Sequence, residues 1–433
     1  MTAPDAADDY IPDSGDRTFS VRRYELDLTY KLAANRLSGR ATLSATASEQ
    51  LRSFRLDLVG LRASRVRVDD ERRTSFRQGP RHVRVRPERV IEAGEQFTIE
   101  VEYGGAPRPR RSRWGSIGWE ELEDGSLVAS QPTGAPTWFP CNDRPDDKAT
   151  YGIRVTTDAR YQVVATGEPA QPARSGGTAT WAFEQDIPTA TYLASVQIGP
   201  YAREALDLDG VRGALHRSSS QADAAGEAFA DLGRMMRLFQ RAFGPYPLGR
   251  FDVVVTDDPL EIPLEAQAMA VFGSNHTEPE SERLIAHELA HQWFGNSVGL
   301  ARWRDIWLNE GFACYAEWLW SEESGAASAA ACAEGQHARL SGEAQDIVVS
   351  DPGARRMFDD RVYKRGALAL HALRRRVGDD HFFEILQHWC ARHRHGIATS
   401  AEFRALAAEV SGVDLASLFE RWLDREELPP LDR

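Results

Sequence analysis

His287 and His291, with Glu288 between them in His287-Glu288-Leu289-Ala290-His291, are the feature that most narrows what this chain can fold into. Residues four apart lie one above the other on a helix, so both imidazoles can meet one ion while Glu288 points toward the same pocket. A catalytic zinc usually takes three protein ligands and keeps one position open for water. Glu310, in Trp307-Leu308-Asn309-Glu310-Gly311, completes such a set. Phe312, Tyr315, Ala316 and Leu319 recur after it at helical spacing, which predicts a second helix carrying this carboxylate near its N-terminus. Leu284, Ile285 and Ala286 before the first motif and Trp293 and Phe294 after it give that helix an apolar side. These spacings predict two helices packed against each other around one zinc ion.

The 433 residues are enough for two or three domains, and they fall into two textures. Alternation is plain in Tyr24-Leu26-Leu28-Tyr30, in Phe54-Leu56-Leu58 and in Phe97-Ile99-Val101-Tyr103, bounded by Gly, Asp and Pro. These are half-buried strands, and they predict an antiparallel β domain over 19–207. From residue 208 to 433 the period becomes helical, with helices expected over 221–243, 360–377, 381–392, 400–410 and 415–423, so this half holds the catalytic domain. Residues 1–18, rich in Asp, Ala and Pro, read as a loose tail and not as a signal peptide.

A formal net charge of −13 argues against general affinity for nucleic acid or anionic membrane, which depends on clustered positive charge. No run is apolar and long enough to span a bilayer. Cys141, Cys314, Cys332 and Cys390 are too few and too far apart for a disulfide framework, so reduced thiols and a cytoplasmic home are expected. His388, Cys390, His393 and His395 lie close together, but their spacing matches no finger and Arg392 and Arg394 are interleaved, which favours a solvated helix end.

The runs 285–296 (IAHELAHQWFGN) and 307–313 (WLNEGFA) resemble the aminopeptidase N and leukotriene hydrolase family of zinc metallopeptidases, the gluzincin aminopeptidases. The resemblance continues through Tyr24-Glu25-Leu26-Asp27-Leu28, the stretch from Gln131 to Ala149, Glu265, and Val362-Tyr363-Lys364-Arg365-Gly366-Ala367. It implies an α+β multidomain fold, with an N-terminal β saddle or sandwich followed by a thermolysin-like, mainly helical catalytic domain. One zinc per chain held by His287, His291 and Glu310, with Glu288 as general base and Tyr363 stabilising the oxyanion, is the site it implies. In the family a Gly-Ala-Met-Glu-Asn segment binds the substrate's N-terminal ammonium. Here only the glutamate survives in Ile262-Pro263-Leu264-Glu265-Ala266, and Glu265 inherits that role by resemblance. A competing register through Ala268 and Met269 puts Ala270 at the glutamate position, too close to His287 for the usual loop. Pro263 has no backbone donor, so a peptide-pairing hydrogen bond from that position is lost. Gln131 matches a family position that reaches from the β domain into the cleft beside Glu265.

The implied activity is hydrolysis of the first peptide bond of peptides and aminoacyl amides with a free N-terminus. Two other readings stand beside it: a zinc hydrolase without N-terminal selectivity, acting on internal peptide bonds or an epoxide-type ligand, and a catalytically inactive scaffold. Larger family members continue into a helical domain that closes over the cleft. Too little chain follows the Tyr363 helix for such a cap, so a short form with a more open site is expected.

Overall fold

The computed structural model describes residues 8–69, 71 and 73–431. Alternating side chains build the N-terminal half. In Phe19–Lys31 the side chains of Phe19, Val21, Tyr24, Leu26, Leu28 and Tyr30 are buried and those between them are more exposed, the two-residue period of a strand with one covered face. This strand lies inside a large sheet, between Arg36–Ala47 and Ala149–Asp158. Among the described residues, every strand pair of the β domain is antiparallel except one. Phe19–Lys31 and Ala149–Asp158 run parallel, with Leu26 opposite Ile153, because the chain reaches this side of Phe19–Lys31 only after a long excursion that first extends the sheet on its other side. That excursion contributes a three-stranded sheet and most of a five-stranded one, ending in the strand Gly125–Ala129 that delivers Gln131 to the domain boundary.

The second half departs from its expected texture. It opens with a five-stranded sheet, in the order Ala202–Leu208, Val211–Arg217, Arg250–Val255, Met269–Phe272 and Leu264–Ala266. The hairpin formed by the first two strands belongs to this sheet and spans the position expected for the domain boundary, 207/208. Arg250–Val255 pairs in parallel on both sides and is buried at every residue. A strand covered on both faces shows no alternation, which is why helical periodicity alone was legible there.

Most of the helices lie where the spacing predicts them, including Asp360–Val377, Ser400–Ser411 and Ala416–Leu423. The single helix expected over 221–243 is two, Ala222–Ala228 and Leu232–Phe243. The helix expected from His381 begins earlier, as Asp379–Arg392.

The N-terminal residues correct another expectation. Residues 1–7 of the expected loose tail lie outside the described residues, but 8–18 are tied down across both domains. Tyr10 (5% exposed) and Ile11 sit in the core of the catalytic domain. The Tyr10 hydroxyl donates to Asp351 and accepts from Gly353 N at 2.7 Å, while Asp8 Oδ2 accepts from Trp303 N at 2.7 Å. Gly15 N donates to Asp57 Oδ2 of the β domain at 2.8 Å. The stretch is a strap: Asp8 and the Tyr10 hydroxyl satisfy backbone donors of distant loops while Asp57 satisfies the strap's own Gly15 N–H, a role that composition does not reveal.

Candidate active site

Three helices carry the candidate residues. Glu282–Ala290 presents His287 and Glu288 and ends at His291, Trp307–Ser324 presents Glu310 in its first turn, and Asp360–Val377 presents Tyr363. The last begins where the Asp359 side chain accepts from Arg361 N, a side-chain N-cap. The Glu310 and Tyr363 helices cross at Gly311 and Gly366. A β-carbon on either residue would lie 2.9 Å from the other's α-carbon, so glycine at both is what lets the helices approach this closely.

The predicted metal ligands meet. His287 Nε2 lies 3.5 Å and His291 Nε2 3.4 Å from Glu310 Oε2, and the three ligand atoms fall within 4.8 Å of one another. All three residues are buried. The opposite ring nitrogens are already engaged, which fixes the faces the rings present: His287 Nδ1 lies 2.8 Å from Glu317 Oε1, and His291 Nδ1 lies 3.0 Å from Phe294 O. Such outer partners orient metal-binding imidazoles. Glu317, two helical turns after Glu310, was missed in the sequence; the recurrence at seven residues on the Glu310 face was the available signal. Arg283 and Lys364 stand 3.2 and 3.8 Å from its carboxylate.

Burial alone would raise Glu310, but the charges and hydrogen bonds of the two imidazoles overcome it and hold the carboxyl at about 2. Burial likewise works against protonated His287 and His291. For His287 it is overcome by hydrogen bonds to Glu310 and Glu317, and for His291 by the charges of Glu310 and Glu265, so they rise to about 9 and 10. A pocket that draws positive charge onto its imidazoles against the cost of burial is electrostatically suited to a cation, and two imidazoles with one carboxylate are a zinc donor set. The residues present fit the ion.

Glu288 is buried, its Oε2 has no hydrogen-bond partner among the described residues, and burial raises its carboxyl. Tyr363 lies over His287, ring planes 15° apart and centroids 6.2 Å apart, and burial keeps its phenol well above the usual range. Glu265 stands half-buried on the edge strand Leu264–Ala266, paired with Ala270 of Met269–Phe272, which is buried within the sheet. Gln131 crosses from the β domain and its Nε2 donates to Glu265 Oε1 at 2.6 Å. Ligand atoms of Glu265, Glu288 and His291 also lie within 4.8 Å of one another, so the Gln131–Glu265 pair adjoins the metal-binding group. Burial pushes Glu265 up to about 8.

The histidine-rich stretch near residue 390 stays apart from this site. His393 packs on Trp389 with ring centroids 4.3 Å apart, His395 Nδ1 lies 3.5 Å from Ser297 Oγ, and these residues form no metal-binding group among the described residues.

Comparison with known proteins places the whole chain in a family. Residues 20–193 match the peptidase M1 N-terminal domain and residues 228–422 match the peptidase family M1 domain. The M1 zinc metallopeptidase of Deinococcus radiodurans is similar in structure, with a TM-score of 0.90 and 32% identity over 98% of both chains. A mutant of the same enzyme, bound to a Tyr-Ser-Ala substrate, gives a TM-score of 0.91 at 31% identity, again over 98% of both chains. Aminopeptidase M1-D of Oryza sativa is 25% identical over 95% of this chain and 50% of its own length. Leucyl aminopeptidase of Saccharolobus solfataricus is 22% identical over 94% of this chain and 54% of its own. The chain thus spans about half the length of these curated relatives. With both domain models matched in order and a structural neighbour aligned end to end, the chain belongs to the M1 family of zinc metallopeptidases.

Proposed function

We propose that this protein is a metallo-aminopeptidase that holds one zinc and hydrolyses the first peptide bond of peptides and aminoacyl amides. The observation that carries the reading is the Gln131–Glu265 pair beside the His287, His291 and Glu310 group. In this reading the pair supplies a carboxylate and an amide beside the position of the substrate ammonium, so that only the first carbonyl reaches the metal. His287, His291 and Glu310 hold the zinc. When bound, zinc supplies Lewis acidity and brings the pKa of a ligated water to about 7.

Each remaining step belongs to a residue of the chain. Gln131 Nε2 is committed to Glu265, which leaves the Gln131 carbonyl oxygen and the second Glu265 oxygen to accept from the ammonium. An ammonium at this distance favours ionised Glu265 and draws its carboxyl down from about 8, so anchor and ligand charge together. Glu288, with an unpartnered oxygen in the pocket, accepts the proton of the attacking water and hands it to the departing amine. The Tyr363 phenol stays protonated near neutrality and donates to the developing oxyanion. Holding the N-terminus at a fixed place makes the reaction exopeptidic. Cys141, Cys314, Cys332 and Cys390 are all free thiols, which supports a reducing location such as the cytoplasm. Among the described residues no helix is long and apolar enough to cross a membrane.

The test is zinc content together with hydrolysis of aminoacyl amides bearing a free or an acetylated amine, in the wild type and in Glu265→Ala. The reading requires about one zinc per chain, cleavage of free-amine substrates only, and suppression of that cleavage in the variant. Cleavage indifferent to acetylation would make the protein a zinc hydrolase without N-terminal selectivity; a chain that binds no zinc would be a scaffold.

A further inference from the structure

The strand that carries Glu265 spans only Leu264–Ala266 and lies at the edge of its sheet. So short an edge strand is weakly held by its ladder alone. Its turn is also unfavourable by itself, because Ala268 has φ 60°, in the left-handed region that a β-carbon disfavours. Such a conformation persists where its surroundings over-determine it.

Here the surroundings are two buried amides from the segment that continues the His287 helix. Gln292 Oε1 accepts from Ala268 N at 3.0 Å, and Gln292 Nε2 donates to Ala266 O at 3.3 Å and to Glu288 O at 3.3 Å, with Met269 O at 3.5 Å. Asn296 Nδ2 donates to the same Ala266 O at 2.8 Å and to Gln292 Oε1 at 3.1 Å. Both residues are completely buried. The turn offers backbone carbonyls and an N–H together, and only a carboxamide side chain presents donors and an acceptor from one planar group. Lys148 of the β domain fixes the far end of this segment, its Nζ donating to Asn296 O and Ser297 O at 2.9 Å each. Gln292 immediately follows His291, and Ala266 immediately follows Glu265. One hydrogen bond and two residue steps therefore connect the metal-binding group to the carboxylate that faces the substrate amine.

We propose that Gln292 and Asn296 are positioning residues, a buried amide strut that sets the distance between Glu265 and the His287/His291 metal site, and so fixes which peptide bond reaches Glu288. The inference rests on the aminopeptidase reading. Neither amide touches substrate. They act by keeping the ammonium anchor in register with the metal, and geometry at this level matters because a displacement of about 1 Å can cost about a hundredfold in rate.

The experiment is calorimetric titration of the zinc-loaded protein with two hydroxamates. Acetohydroxamic acid reaches only the metal, whereas alanine hydroxamate reaches the metal and the amine anchor. The ratio of the two affinities reads the register between anchor and metal independently of turnover. The wild type should prefer the amino compound by on the order of 100-fold, since it adds charge-assisted hydrogen bonds. In Gln292→Met, which keeps the side chain's length and removes its polar atoms, that preference should fall about tenfold or more while acetohydroxamic acid binding stays within about twofold. Asn296→Ala, which removes one donor to Ala266 O, should move the ratio in the same direction by about threefold, and it carries the test should Gln292→Met fail to fold. An unchanged ratio in folded, zinc-loaded variants overturns the strut, as does equal weakening of both ligands. A wild type without preference for the amino compound overturns the aminopeptidase reading and the strut with it, and that outcome is visible before any variant is made.

Discussion

Glu317 gives a demanding test of how the site is built, because it touches neither the candidate zinc position nor the substrate cleft and acts only through His287. Its Oε1 lies 2.8 Å from His287 Nδ1, and burial, which would raise its carboxyl, is outweighed by that bond and by the Lys364 and Arg283 charges, so it is ionised at neutral pH. Removing an outer carboxylate of this kind typically weakens metal affinity by about 10–100-fold, or about 1.4–2.8 kcal/mol. Glu317→Ala removes both the orienting acceptor and the charge that Arg283 and Lys364 face at 3.2 and 3.8 Å, so it belongs at the upper end. Glu317→Gln keeps an oxygen that can accept from Nδ1–H and loses only the charge, which places it near tenfold. The assay is zinc competition against a chromophoric chelator of known affinity near neutral pH, with circular dichroism to confirm folding. Zinc affinities within about threefold of wild type in both folded variants would refute the idea that Glu317 orients and charges the His287 ligand.

Tyr363→Phe should lower kcat by about 10²–10³-fold with little change in KM, the loss of one oxyanion donor, and a rate unchanged within a few-fold would remove Tyr363 from the mechanism. Asp143 is buried beside Asp57, with Oδ1 accepting from Thr191 Oγ1 at 2.7 Å and Oδ2 unpartnered among the described residues. Burial, and then the Asp57 charge, push its carboxyl up to about 8 from an unfolded value near 3.8. A raised folded value means the native state holds the proton more tightly, so this contribution is fully present below about pH 4 and is lost as pH rises through about 8. Asp143→Asn should therefore flatten the fall in urea-measured stability between those limits, by up to several kcal/mol at the alkaline end; an unaltered slope would mean Asp143 is already ionised in the fold. Tyr10→Ala should cost about 3 kcal/mol by urea denaturation, as expected for removing a buried aromatic ring, and a change below about 0.5 kcal/mol would show that the N-terminal strap adds nothing to stability.

What could be read from the chain follows the range of each signal. His287, Glu288, His291 and Glu310 were legible because four-residue spacing and a resumed helical period fix which side chains share a face before any tertiary contact is known. The strands around Tyr24 and Ile99 were legible for the same reason at a period of two. Arg250–Val255 was not, because burial on both faces erases the period. The strap at 8–18 was not either, since its acidic residues look like those of a solvated tail until Asp8 meets Trp303 N and Tyr10 meets Asp351.

The sequence by itself determined which side chains form the candidate metal-binding group and the order of a β half before a mainly helical half, both encoded in periodicities a few residues long. The tertiary structure gave the direct Gln131–Glu265 bond across the domain boundary, which only the family resemblance had pointed to, and it alone decided that Glu317 takes the back of His287 and that Gln292 and Asn296 grip the turn after Glu265. These partners are separated by between twenty-four and 134 residues along the chain. At such separations local spacing carries no distance information. Their meeting is set by how whole elements pack, as where Gly311 and Gly366 let two helices close to backbone contact and bring Tyr363 over His287.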